Sequence, residues 1–251
     1  MEKETLLKNS LYRTQYGSRL YGTNQPHSDT DWKIIFLPEL QSVLAGNQIL
    51  KTKFVSPNVD DKSTQVDEDF IPVQKFAKDF LYGVPYAIEV AYSLDGNHAC
   101  QHYFNPMFKQ FVDELKFLFL NRKLSGFLGF VNNIKDNIVV GTWDGSDPKH
   151  YKSVYHGFRI AHEAIELLST EKLNLPFSTV VRDKLLAVKN GDKKPFTWES
   201  AIKNDIEHIE ELLGCSNIQF FTPELETMFD TWLYVKLSKF YNIPLFPHFA
   251  V

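Results

Sequence analysis

Cysteine is scarce in this chain: 251 residues hold two, Cys100 and Cys215. Their number and separation argue against a disulfide framework and against a zinc cluster. His98-x-Cys100-x-His102 offers three nearby candidate ligands in a loop after Asp95-Gly96-Asn97, so a structural role is expected there rather than a zinc ion. Long hydrophobic runs are missing too. No segment approaches the roughly 18 uninterrupted apolar residues of a membrane span, and the first residues, MEKETLLKNS, lack the apolar centre of a secretion signal. A cytoplasmic protein with no membrane partner is expected. A strong charge of either sign is also absent. A net value of −4 creates no broad field for a polyanion, so contact with long nucleic acid would have to rest on a local basic stripe. Internal repeats and low-complexity tracts are not seen.

What is present is enough apolar material for a real core, 43% of residues, in one compact unit or two small lobes. Residues 1–105 alternate strand-like and helical patterns. From Pro106 onward the pattern turns helical, over Phe108 to Phe119, Phe127 to Ile134, Tyr151 to Ser169, Thr179 to Val188, Trp198 to Leu213 and Glu224 to Tyr241. The expectation is an α/β (α+β) protein, with a small mixed sheet in a first lobe, residues 1–105, and a helical lobe, residues 106–251. The connection from Glu39 to Gln65 exceeds ordinary loop length and is expected to contain a strand around Ile49 to Val55 that serves as a lid. A turn-rich loop, Gly141 to Pro148, interrupts the helices and is placed to reach a cleft.

The most informative segment is Tyr16 to Asp31, YGSRLYGTNQPHSDTD. Leu11 to Tyr16 can form a strand that ends at Gly17, where glycine permits a tight turn and close backbone approach. If Ser18 to Tyr21 opens a short helix, its free N–H groups and the Ser18 hydroxyl can hold nucleotide phosphates. Asp29 and Asp31, two apart at the start of the apolar run Trp32 to Leu37, project from one strand face and can grip the same divalent ions. Hard carboxylate ligands suit Mg²⁺ or Mn²⁺. Phosphate and metal would then meet in one cleft, whereas either half alone is an ordinary turn.

With its Gly-Ser, spacer and Asp-x-Asp, this segment resembles the nucleotidyltransferases of the DNA polymerase β superfamily. More narrowly it is similar to an uncharacterised branch common in bacteria and phages, which carries GS-x-x-YGT and then SD-x-D; Tyr21-Gly22-Thr23 and Ser28-Asp29 match. The resemblance implies a transferase that binds an NTP such as ATP and needs a third carboxylate, since two metal ions about 3.5–4 Å apart require more than two bridging side chains. Val66 to Pro72 reads as a strand with Asp67 and Asp69 on one face and Val66, Glu68 and Phe70 on the other. Either aspartate can serve; Asp67 follows the family's hydrophobic-Asp step, and Glu68 departs from it. The bland alternative is an acidic loop edge made of Asp60, Asp61, Asp67, Glu68 and Asp69.

The likeness continues through residues 76–89, where Gly83, Pro85 and Glu89 match a Gly-x-Pro-x-x-x-Glu element. Val73, Phe76, Ala77, Phe80 and Leu81 follow helical spacing, and Gly83 closes that helix. Glu89 stands in an apolar stretch and needs a partner, either Arg19 or a backbone amide, or else the metal site. In residues 149–169, Val154, Phe158, Ala161, Ile165 and Leu168 fall on one side of a helix, and Lys149, Lys152, His156 and Arg159 share the opposite arc, away from that helix's core. Lys152, His156 and Arg159 match a Lys-x-x-x-His-x-x-Arg pattern of the resembled family, which implies contacts to the phosphates or base of a substrate. The alternative is a solvated face in which Arg159 and Glu163 form a surface pair. Residues 173–191 resemble a further family region, with Lys189 where Arg is more usual.

The expected chemistry is metal-dependent transfer of a nucleoside monophosphate to an acceptor hydroxyl. In it, Asp29 and Asp31 hold Mg²⁺ or Mn²⁺ with Asp67 or Asp69, and Gly17 and Ser18 position the triphosphate. Arg19 or Lys33 would neutralise the leaving pyrophosphate, and Lys152, His156 and Arg159 would select the acceptor. An RNA or tRNA end is one acceptor, a protein or small molecule another, and a nucleotide-binding module without catalysis is the third alternative. Carboxylates facing phosphates repel them unless a metal intervenes, which counts against the last.

Overall fold

The computed structural model describes residues 2–45, 49–56, 64–95, 101–119, 125–215 and 222–243. Asp60, Asp61, His98 and Cys100 lie outside them, as does the side chain of His102. The chain begins α1 (Lys3–Lys8), β1 (Ser10–Tyr16), α2 (Ser18–Tyr21), β2 (Thr30–Phe36), α3 (Leu40–Leu44), β3 (Thr52–Val55), β4 (Val66–Pro72), α4 (Val73–Leu81), α5 (Pro85–Tyr92) and β5 (Gln101–Phe104). Helices follow: α6 (Pro106–Phe119), α7 (Ser125–Val139), α8 (Pro148–Thr170), α9 (Thr179–Lys189), α10 (Glu199–Cys215) and α11 (Pro223–Phe240). The architecture is therefore mixed α/β with a helical region, as the sequence pattern predicts. Of the Glu39–Gln65 connection, α3 and β3 are described, while residues 46–48 and 57–63 fall outside.

The described strands form a five-stranded sheet in the order β3-β4-β2-β1-β5. Only β2 and β4 pair in parallel; the other neighbours are antiparallel. The parallel register sets Asp31 beside Asp67 and Lys33 beside Asp69, and β3 sets Lys53 opposite Asp69. Because side chains alternate, Asp31, Lys33 and Ile35 share a face with Asp67, Asp69 and Ile71. That face is polar at one end and apolar at the other, and the apolar end is continuous with the main core. The opposite face, Ile34, Phe36 and Phe70 with Trp32 and Phe54, is capped by Leu6 and Leu7 of α1. Glu68 points there as well, paired with Lys3.

Two helices position the site. In α4, Val73, Phe76, Ala77, Phe80 and Leu81 are buried, as their spacing predicts. Gly83, at φ 66°, ends that segment in the left-handed region. The stretch containing Glu89 is then itself a helix, α5, opened by Pro85. The long α8 begins at Asp147, whose carboxylate accepts from the Lys149 N–H at 2.8 Å, followed by Pro148 at the first helical position. α8 packs on α7, α9 and α10 and also meets the loop after α2, α2 itself and α5, so nearly its whole circumference is covered at mid-length. Among the described residues no helix is long and apolar enough to cross a membrane.

Candidate functional site

The site is built where β1 turns. Gly17 has φ 63° and ψ −138°, a conformation open to glycine and strained for any residue with a Cβ. A Cβ there would stand 2.7 Å from Asp31 Oδ2. The turn and the aspartate are in direct apposition, the close backbone approach that the sequence suggests. Asp31 is the second residue of β2, opposite Tyr16, whereas Asp29 lies just before the strand, so only the second aspartate of the pair is a strand residue. Both line a cleft of about 670 Å³, together with Gly17, Ser18, Lys33, Lys53 and Asp69 from the sheet lobe and Lys152, Tyr155, His156, Arg159 and Lys189 from the helices.

The cleft has walls of opposite character. On the sheet side, burial raises the Asp31 carboxyl above its ordinary range, and the charges of Asp29 and Asp67 push it further. Asp67 is bonded to Lys53 at 2.7 Å, which holds it below the usual carboxylate range. Asp69 is bound by Lys33 and by Lys51, the latter at 2.7 Å. Burial pushes its carboxyl up, yet the two lysines prevail and lower it. Asp69 Oδ1 is buried and has no hydrogen-bond partner among the described residues. On the helical side, burial holds the His156 ring neutral, with its pKa down to about 4, and Lys152 and Lys189 add to that. Lys189 is lowered by burial and by Lys152 while Asp29 draws it the other way, so the walls sense one another across the gap.

Behind the cleft lies a buried charge cluster. Arg159, 5% exposed, and Glu163, fully buried, pair at 2.9 Å, and Arg159 also pairs with Glu89. Glu89 accepts from the Tyr16 and Tyr21 hydroxyls. This corrects two expectations. Arg159 does not face solvent, because Glu89 of α5 and Tyr21 of α2 cover it, although Lys149 and Lys152 on the same arc are exposed. Arg159 with Glu163 is accordingly no surface pair. And Glu89 takes Arg159, not Arg19, as its cation. Arg19 reaches the Ser28 carbonyl at 3.5 Å and, like Asp67, is not among the cleft-lining residues.

Sequence reasoning missed Lys53, which β3 sets opposite Asp69 on the face of the acids, and Lys51, which just precedes that strand and reaches Asp69. It also passed over the hydroxyls of Tyr16, Tyr21 and Tyr155. Tyr155 meets the Thr23 hydroxyl at 2.8 Å and joins α8 to the loop after α2.

Oxygen donors dominate the sheet wall, and hard cations prefer them. The raised Asp31 carboxyl and the orphaned Asp69 Oδ1 are features that a bound cation would relieve, and Asp29, Asp31 and Asp69 are the cleft carboxylates that could hold one. Among the described residues no three His, Cys, Asp or Glu side chains stand converged as a ligand set, since Lys33, Lys51 and Lys53 occupy the outer carboxylates.

No family model matches the chain. Over 86 residues it is 30% identical to an uncharacterised 38.9 kDa protein in the nrdC–mobD intergenic region of Enterobacteria phage T4, a match covering 34% of this chain and 26% of that protein. The matched part thus spans about a quarter of the relative's length. A crystal structure of a nucleotidyltransferase-like protein from Exiguobacterium sibiricum superposes over 84% of this chain and 71% of that one, with a TM-score of 0.32 and 10% identity, a loose likeness that does not bear on activity.

Proposed function

We propose that the chain is a metal-dependent nucleotidyltransferase that moves a nucleoside monophosphate from an NTP to an acceptor hydroxyl and releases pyrophosphate. The observation that carries this reading is the apposition of the Gly17 turn to Asp31 in a cleft whose other wall presents Lys152 and Lys189. A triphosphate is an anion that needs cations on one side, and its reacting phosphorus needs a carboxylate-held cation on the other. A cleft of about 670 Å³ is within the range of small-ligand sites, roughly 300–1,000 Å³.

Asp29 and Asp31, with Asp67 or Asp69, would hold Mg²⁺ or Mn²⁺, and an ion bound there would lower the pKa of the acceptor hydroxyl and offset charge on the α-phosphoryl group. Backbone at Gly17 and the Ser18 hydroxyl position the phosphates, and Lys152 and Lys189 neutralise them from the helical side. The acceptor oxygen bonds to the α-phosphorus as the bond to the β-phosphate bridging oxygen breaks, and the hydroxyl proton passes to a carboxylate oxygen. Asp69 lines the cleft and has an oxygen without a partner. Lys33, which lines the cleft and whose own pKa is lowered by burial despite Asp69, would neutralise the leaving pyrophosphate; Arg19, outside the cleft lining, would act only from a distance. His156, kept neutral, offers a hydrogen bond to base or acceptor rather than a charge.

The acceptor is an RNA or tRNA end in the leading reading; the overall charge of −4 keeps a protein or small molecule as the alternative. Pure protein incubated with each α-labelled NTP, Mg²⁺ and separate pools of RNA, protein and metabolites separates the cases. Label entering one pool names the acceptor class, and tight NTP binding with transfer to none supports a non-catalytic module.

A further inference from the structure

Glu89 stands behind the cleft wall, with none of its surface exposed. Its Oε1 pairs with Arg159 Nη1. Its Oε2 accepts from two hydroxyls at once, those of Tyr16 and Tyr21, the second at 2.7 Å. These tyrosines are not incidental neighbours. Tyr16 is the last residue of β1 and Tyr21 the last of α2, so they bracket the Gly17–Ser18 turn. One carboxylate oxygen ties both ends of the turn to a single point. The rings are fixed as well: they meet edge to face at 5.9 Å, the Arg159 guanidinium lies 4.5 Å from the Tyr21 ring centre, and Lys33 Nζ lies 4.6 Å from that of Tyr16.

We propose that Glu89 is a positioning residue for the nucleotide: by gripping Tyr16 and Tyr21 it holds the Gly17–Ser18 turn in the one conformation that presents backbone N–H groups to phosphate. This rests on the reading of the turn as a phosphate site. A glycine turn left to itself samples many conformations, and a ligand that must order it loses affinity by that amount. A buried carboxylate is costly unless compensated. The charge therefore earns its place through the bonds it accepts, and a carboxylate oxygen, with two lone pairs, can take both hydroxyls where a single donor group could take neither. Arg159 neutralises Glu89 and joins the clamp to α8, so the turn and the helical wall are set by the same group.

The test compares three hydroxyl deletions that leave the rings in place. Tyr16→Phe and Tyr21→Phe, singly and together, remove donors from the clamp. Tyr12→Phe is the control, since Tyr12 is on the same strand, fully buried, and bonded at 2.8 Å to the Ser93 hydroxyl. Binding of the four ribonucleoside triphosphates and of tripolyphosphate is measured by calorimetry, and amide hydrogen exchange is followed at residues 17–19. Expected are a loss of affinity of about tenfold or more for the double variant, with faster exchange at the turn, and near wild-type values of both for Tyr12→Phe at comparable thermal stability. Unchanged exchange at the turn, or an equal loss of affinity in Tyr12→Phe, overturns the clamp. If wild type binds none of the triphosphates while exchange at the turn still quickens in the double variant, the clamp stands as a structural fact and the nucleotide reading, with the role built on it, is overturned.

Discussion

Beside the cleft, Asp67 is held by Lys53 and Asp69 by Lys51, both from the edge of the sheet, with Lys33 of β2 also on Asp69; behind it, Glu89 and Glu163 are held by Arg159 inside the protein. The first set is open at its edge lysines, Lys53 about half exposed and Lys51 over a third, although Lys33 is 13% exposed. The second is closed, with the Arg159 side chain 6% exposed and both its carboxylates at 0%. Lysine is a point charge on a flexible stem, so an exposed lysine leaves its carboxylate at little cost when another cation arrives. A guanidinium buried between two carboxylates has no such freedom. The same residue chemistry thus yields an exchangeable site in one place and a fixed framework in the other.

The largest effect expected from this contrast concerns activity without stability. Asp31→Asn should lower nucleotidyl transfer by about 10³-fold or more, some 4 kcal/mol in the barrier. Its thermal midpoint should stay level or rise, because the Asp31 charge is already disfavoured by burial, Asp29 and Asp67. Transfer of labelled NTP and scanning calorimetry on the same preparations read both. Retained transfer, or a variant that unfolds, would place Asp31 in the framework and erase the distinction.

The closed set should behave in the reverse sense. Arg159→Met strips the cation from two buried carboxylates and should cost about 3–5 kcal/mol of stability in denaturant titration. A loss below about 1 kcal/mol would mean that the cluster is wetter than its burial implies.

A third expectation uses pH. Burial raises the Glu163 carboxyl to about 7 from an ordinary 4.5, with Arg159 opposing, and Glu163 Oε2 has no partner among the described residues. The folded state therefore holds a proton that the unfolded chain gives up between pH 4.5 and 7, and stability from this group falls as pH rises through that window. His156 acts oppositely: with its pKa at about 4 rather than 6.5, the unfolded chain binds the extra proton, and stability from it rises between pH 4 and 6.5. In wild type the two partly cancel. Glu163→Gln removes one side, so its thermal midpoint should climb with pH from 4.5 to 6.5 more steeply than wild type, by at most about 1.4 kcal/mol per pH unit. Parallel profiles for the two proteins would refute the assignment.

How much of this was legible in the sequence follows the same divide. Strand β2 announces itself by its apolar run, β4 by its two-residue alternation, β1 by leading into Gly17, and Gly17, Asp29 and Asp31 by their spacing, because these are local signals. The helices after Pro106 are legible from periodicity. What periodicity misjudged was α8: it gave Arg159 to solvent because it sees one helix, whereas Arg159 is covered by Glu89 of α5 and the Tyr21 ring of α2, elements far earlier in the chain. The tie of Glu89 to Arg159 and the two tyrosines is non-local for the same reason. Short elements such as α1, α3 and β5 carry too few residues for a period to show. Lys51 and Lys53 gained meaning only once β3 was seen beside β4.

The smallest expected effect lies at that edge. Lys53→Met should change the stability of metal-free protein by no more than about 1 kcal/mol, since an exposed ion pair is worth little. Its consequence should appear instead with a divalent ion. With Lys53 gone, Asp67 loses the bond that keeps its carboxyl low, and the acidic wall has one positive charge fewer competing for it. A cation that binds the folded state adds stability as RT ln(1 + [L]/Kd), so at equal Mn²⁺ the rise in thermal midpoint should be larger for Lys53→Met than for wild type, corresponding to several-fold tighter binding. Arg159 allows no such exchange, and Mn²⁺ should not recover the stability lost in Arg159→Met. If Mn²⁺ raised wild type and Lys53→Met alike, the lysine would not be standing in a cation's place, and the open carboxylates would be as fixed as the closed ones.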